Sequence, residues 1–178
     1  MSEYKNLIES IKGPVYSIIT PFDSITENID YATLENYLNY LYECGARIFY
    51  VMAFNSRYPQ LSFKEIMDLN QFVIEKLKSI DKTNIVIVAD PVVSTTKSSL
   101  IFSEHANKYG ADLISLIFSE RYYNKSQVFD HFEYISKRCS LPILLHEMKF
   151  VSGLDGSLIN WEVDLLKDVL SIDNLIAI

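Results

Sequence analysis

The reactive side chains of this chain stand at the ends of apolar runs. His146 directly follows the run 142–145. An imidazole titrates near neutrality, so it can add or remove a proton at a carbon beside a carbonyl, or supply a directed hydrogen bond. In the turn after the run 48–52 stand Asn55, Ser56 and Arg57: an amide donor, a hydroxyl and a guanidinium. The planar fork of arginine matches a carboxylate in bidentate fashion. Each also has a structural reading. His146 can be a partly buried histidine bonded to Glu147 or to a backbone carbonyl, and Arg57 can hold a neighbouring helix start at Glu65. Asp90 precedes Pro91 and fits a turn, while His105 and His131 sit inside helical segments, where packing or surface roles suit them. Lys125 and Lys149 lie in loop regions, and an exposed lysine stays protonated unless burial or a neighbouring cation lowers its pKa.

Composition excludes several function classes. Of 178 residues, 49% are apolar and 22% charged, enough for one substantial core and too apolar for a disordered chain. With 16 basic against 23 acidic side chains the net charge is −7, which offers no electrostatic footprint for nucleic acid or for anionic lipid. No apolar run approaches the roughly 18 residues of a spanning helix. The start, Met1-Ser2-Glu3-Tyr4, lacks the apolar stretch of a secretory signal. No membrane partner is expected, and the expected compartment is the cytoplasm. Cys44 and Cys139 fit no metal or redox spacing and read as buried reduced thiols, so the sequon at Asn124 carries no meaning. No His/Asp/Glu cluster has ligand spacing, so neither a metal nor a cofactor is expected. The five glycines never form a phosphate-cradling loop and read as turn and cap residues.

The elements that must position these residues are legible as a repeat. Runs rich in β-branched and apolar residues at 15–19, 48–52, 85–89, 113–118, 142–145 and 175–178 predict strands buried on both faces. Between them Leu34, Tyr37, Leu38 and Leu41, then Ile66, Leu69, Val73 and Leu77, then Phe129, Phe132 and Ile135 keep a helical period. Ser62-Phe63-Lys64-Glu65 has the form of a capping box, and Gly45 and Gly110 each follow a helical stretch as left-handed caps. A βα spacing of roughly thirty residues makes either a doubly wound sheet or part of an eight-fold barrel. Glycine poverty at the first strand–helix turn counts against a dinucleotide-binding sheet. A barrel usually needs at least about 200 residues while this sequence stops inside a strand-like run, so a single domain over 1–178, incomplete at its C-terminus as a barrel, is the expectation.

Several stretches together resemble the family of dihydrodipicolinate synthase and N-acetylneuraminate lyase, pyruvate-handling class I aldolases on a (β/α)8 TIM barrel. They are Thr20-Pro21-Phe22, Tyr58-Pro59-Gln60-Leu61-Ser62, Gly110-Ala111-Asp112, Tyr122-Tyr123-Asn124-Lys125 and Asn174-Leu175-Ile176-Ala177-Ile178, in the family's order. The resemblance implies that this chain supplies about the first six strands of the barrel. It also implies a Schiff-base lysine directly after Ile178. Tyr123 then corresponds to a tyrosine that crosses the dimer interface into the neighbouring active site, and Tyr122 to one that packs in that interface. The family's acid-base tyrosine corresponds to His146, so Tyr123 and His146 are the expected proton carriers. The family's "GTTGE" corresponds to Ala53-Phe54-Asn55-Ser56-Arg57, so carboxylate binding falls to Asn55, Ser56 and Arg57. The family's substrate-gripping arginine corresponds to Val151. The function implied is that of a divergent lyase or aldolase acting on pyruvate or another 2-oxo acid, assembled as a homotetramer, a dimer of dimers. The alternative is a catalytically impaired homologue serving as a binding or regulatory subunit.

Overall fold

Short parallel strands alternate with helices along the chain. In the computed structural model, residues 4–52, 54–91, 95–118, 124–146 and 161–178 are described. The strands are β1 (Tyr16–Ser17), β2 (Ile48–Val51), β3 (Ile85–Ala89), β4 (Leu113–Leu116), β5 (Ile143–Leu145) and β6 (Leu175–Ala177). The helices are α1 (Lys5–Ser10), α2 (Tyr31–Glu43), α3 (Phe63–Ile80), α4 (Thr96–Tyr109), α5 (Lys125–Ser136) and α6 (Val163–Leu170). All neighbours pair in parallel and the sheet order is β1-β2-β3-β4-β5-β6. A doubly wound sheet reverses its order at a switch point, whereas this one never does.

Alternation along the strands gives each face its own core. Ile48, Ile85, Ile87 and Leu113 form one cluster, with Tyr50, Leu144 and Ile176 packed against it. Phe49, Val51, Val86, Val88, Ile114, Leu116 and Ile143 belong to the other, which they share with Leu34, Leu38, Leu69, Val73, Leu77, Phe102, Val128 and Phe132 of the helices. Burial on both faces is why the strands are continuous apolar runs rather than alternating ones. Leu7 and Ile11, from α1 and the residue after it, pack on the first cluster. Ile48, Ile85 and Leu113 each begin a strand, so α1 covers the N-terminal end of the sheet and leaves the opposite end for the site. Gly110-Ala111-Asp112 is built into that N-terminal end. Asp112 accepts the Val86 amide at 2.7 Å and the Lys78 ammonium at 2.7 Å, and Lys78 also donates to the Asn84 carbonyl at 2.7 Å.

The cap signals act as their chemistry dictates. Gly45 and Gly110 hold φ of +99° and +92°, where a side chain is strained, and so turn α2 and α4 back toward the next strand. Ser62 accepts the Glu65 amide while the Glu65 carboxylate accepts the Ser62 amide at 2.7 Å and its hydroxyl at 2.6 Å. These hydrogen bonds hold the Glu65 carboxyl below its usual range, first through the Ser62 hydroxyl and then through its amide. Ser62→Ala removes the cap and should lower stability by about 1 kcal/mol in a denaturant titration. An unchanged midpoint would show that α3 is held by packing alone.

Two details differ from the sequence reading. The helix α1 has no strong apolar period, and the apolar runs and helical stripes do not announce it. Cys44, expected to be buried, is exposed at the C-terminal cap of α2, while Cys139 is half-buried with its thiol beside the Ser103 hydroxyl at 2.5 Å. Burial raises the Cys139 thiol pKa, partly offset by that hydroxyl.

Candidate functional site

His146 is the residue directly after β5, so it stands at the C-terminal end of the sheet, where parallel α/β enzymes bind their ligands. Its amide donates to the Leu116 carbonyl at 2.8 Å, which continues the β4–β5 ladder one step and fixes the backbone under the ring. The ring Nδ1 lies 3.4 Å from the Tyr50 hydroxyl, and that hydroxyl donates to Ser115 Oγ at 2.8 Å. A chain of imidazole, phenol and hydroxyl thus runs from the end of β5 through β2 to β4. Burial raises the Tyr50 pKa above its ordinary value. Contact with Ser115 opposes that shift, and the nearby charge of Asp90 adds to it. Tyr50 therefore stays a neutral phenol across the neutral range.

Asp90 is more than a turn residue. It is buried, accepts the Ser99 hydroxyl at 2.6 Å, and its amide donates to the Ser115 carbonyl at 2.7 Å. It therefore ties the start of α4 to the ends of β3 and β4 and places a carboxylate near Tyr50.

The turn after β2 is held from below. Thr20, buried just past β1, donates its hydroxyl to the Ser56 carbonyl at 2.7 Å. Met52 and Arg57 flank the turn with φ of +62° and +60°, a left-handed conformation costing a non-glycine residue about 1 kcal/mol or more and concentrated at functional turns. Within it Asn55 and Arg57 are exposed, while Ser56 is buried and donates its hydroxyl to Met52 Sδ at 3.6 Å. The Glu65 carboxylate, the alternative partner for Arg57, is engaged by Ser62. Tyr122, Tyr123, Lys149 and Val151 lie outside the described residues. Lys125 is exposed and paired with Glu162 at the surface.

The other histidines are structural. His131 is buried in α5, with Nδ1 2.9 Å from the Thr96 hydroxyl and its ring edge-on to Phe118 and Phe132. A groove of about 750 Å3 opens beside it between α4 and α5. It lies on the helical side of the sheet, away from the His146–Tyr50 chain. His105 packs on Tyr109, with its pKa lowered by burial first and by Lys108 second.

Comparison with known proteins resolves the lineage. The model of the dihydrodipicolinate synthetase family matches residues 10–178, nearly the whole chain. The chain belongs to the dihydrodipicolinate synthetase family. It is 26% identical over 165 residues to 4-hydroxy-tetrahydrodipicolinate synthase of Oceanobacillus iheyensis, covering 91% of this chain and 52% of that protein. It is 25% identical over 142 residues to an uncharacterized DapA-like lyase of Thermococcus onnurineus, covering 78% of this chain and 45% of that one. Among solved structures, the synthase of Methylacidiphilum fumariolicum SolV superposes with a TM-score of 0.73 at 25% identity, covering 89% of this chain and 50% of that one. CdNal of Clostridium difficile, solved in complex with mannosamine, superposes with a TM-score of 0.79 at 17% identity, covering 94% and 55%. The chain spans about half the length of the curated relatives it matches. As a member of this family it presents six consecutive strands of a (β/α)8 TIM barrel, so the cluster of Ile48, Ile85, Ile87 and Leu113 is the barrel interior and His146 stands at its mouth.

Tyr50 and Ser115 escape a reading of the sequence. Both sit inside apolar runs, in Ile48-Phe49-Tyr50-Val51 and Leu113-Ile114-Ser115-Leu116, and read as packing. A serine within a doubly buried strand is the available signal, because its hydroxyl must find a partner across the barrel.

Proposed function

We propose that this protein is a Schiff-base-forming lyase or aldolase acting on pyruvate or another 2-oxo acid. The observation that carries this reading is His146 at the mouth of a family barrel, joined through Tyr50 to Ser115. A lysine amine, expected from the resemblance of Asn174-Leu175-Ile176-Ala177-Ile178 to the family motif, attacks the substrate carbonyl and expels water to leave an imine. Asn55, Ser56 and Arg57 hold the substrate carboxylate; for Ser56 this requires its hydroxyl to turn away from Met52. His146 takes a proton from the carbon next to the imine, and the resulting enamine forms a carbon–carbon bond with an aldehyde; cleavage is the reverse. Tyr123 is the second proton carrier, contributed across a dimer interface in a cytoplasmic homotetramer.

The carbon–carbon partner is a neutral or sugar-derived aldehyde rather than one bearing a second carboxylate. Val151 offers no donor where the family's arginine grips that group, and a charged bidentate contact contributes about 2–3 kcal/mol. The test is incubation of the complete polypeptide, carrying that lysine, with pyruvate and borohydride, followed by intact mass and by turnover assays with aspartate semialdehyde and with neutral aldehydes. The expected result is one reduced pyruvate adduct per chain and turnover only with the neutral aldehydes. No adduct would contradict the enzyme and leave a binding subunit, whereas efficient condensation with aspartate semialdehyde would contradict the stated partner.

A further inference from the structure

The Tyr50 hydroxyl beside the imidazole, and the Ser115 hydroxyl that accepts from it, come from within the strands. β2 and β4 are not neighbours: β3 lies between them, so their backbones stand two strand spacings, about 9–10 Å, apart. A serine or threonine on β2 cannot reach across that gap, while a phenol can. Tyr50 is in register with Ile87, and Ser115 with Ala89, so at the level of Ser115 the intervening strand carries only a methyl group. Ser115 itself is fully buried.

Distances order the protons. A phenol has one proton to give, and the 2.8 Å contact to Ser115 Oγ takes it in preference to the 3.4 Å approach of His146 Nδ1. The phenol oxygen then has lone pairs left, and an Nδ1–H at this distance can donate to them. Resting on the imine-forming reading, we propose that Tyr50, oriented by Ser115, is a positioning residue that holds His146 as the Nδ1–H tautomer, so that Nε2 carries the lone pair that removes the substrate proton.

The phenol suits this task because it stays un-ionised: burial and the Asp90 charge both oppose phenolate formation. As the substrate proton reaches Nε2, positive charge spreads over the ring and the Nδ1–H donates more strongly to the Tyr50 oxygen. Tyr50 keeps its own proton on Ser115 throughout. The step moves one proton, from carbon to Nε2, and needs no further reactant.

The test is direct. Nitrogen NMR of the purified protein labelled with 15N-histidine reports which ring nitrogen of His146 is protonated, in the absence of any substrate. The wild type should show Nδ1–H. Ser115→Ala deletes the acceptor of the Tyr50 proton, which then turns to Nδ1 and converts the ring to Nε2–H. Tyr50→Phe deletes the Nδ1 acceptor and should also lose the Nδ1–H preference, with kcat for pyruvate falling about tenfold or more and KM changing less than threefold. An Nε2–H ring in the wild type, or a tautomer indifferent to both substitutions, would overturn the proposal. Because the spectrum is recorded without pyruvate, failure of the imine chemistry and failure of this assignment are separate results.

Discussion

His146→Phe is expected to lower turnover by about a hundredfold to ten-thousandfold while pyruvate can still be trapped on the protein by borohydride. The magnitude is that of removing a positioned acid-base group. The split between the two readouts arises from the geometry. His146 reaches the site from the end of β5 and is held there by its amide on the Leu116 carbonyl and by Tyr50 at its ring, whereas the turn assigned to carboxylate binding follows β2. Phenylalanine preserves ring packing and removes both nitrogens, so a folded variant should bind and condense with the 2-oxo acid yet stall at proton removal. Turnover within threefold of wild type would remove His146 from the mechanism.

The second large effect lies in the core. Phe132 of α5 is fully buried, with the His131 ring 5.0 Å away and Trp161 5.9 Å away, both edge-on. Phe132→Ala opens a cavity that these rigid rings cannot refill, and its cost should be about 3–5 kcal/mol, read as a lowered denaturant midpoint at unchanged slope. Against a typical stability of about 5–15 kcal/mol this is a large loss. Phe132→Leu should recover much of it. If alanine and leucine cost the same, the loss is not that of a cavity and filling volume at this position contributes nothing.

The scaffold is legible in the sequence because it depends on local rules. Doubly buried strands leave continuous apolar runs, and the strands lie where those runs are, with the fourth ending at Leu116 rather than at 118 because the ladder stops there. The capping box at Ser62 and the glycines at 45 and 110 are short-range hydrogen bonding and backbone freedom, which sequence spacing states outright. α1 escapes because it is held by two side chains, Leu7 and Ile11, against the end of the sheet, and two residues make no period.

The site divides in the same way. His146 is visible because it ends a strand. Its partners are not, because Tyr50 and Ser115 meet across two strand spacings and 65 residues of sequence. The parallel register leaves them two positions apart along the strands, a gap that the long phenol spans. Ser56 shows the converse: its hydroxyl makes it a candidate, and the fold buries that hydroxyl against Met52.

The central claim is that this barrel mouth moves a proton on a 2-oxo acid. Pyruvate incubated with the protein in deuterium oxide, followed by proton NMR of the methyl group, measures that step without any aldehyde. Imine formation followed by proton removal at His146 predicts steady loss of the methyl signal, slowed at least a hundredfold in His146→Phe. A methyl signal that persists in wild-type protein while borohydride still traps the imine would contradict the assignment of His146, positioned by Tyr50 and Ser115, as the residue that takes the proton.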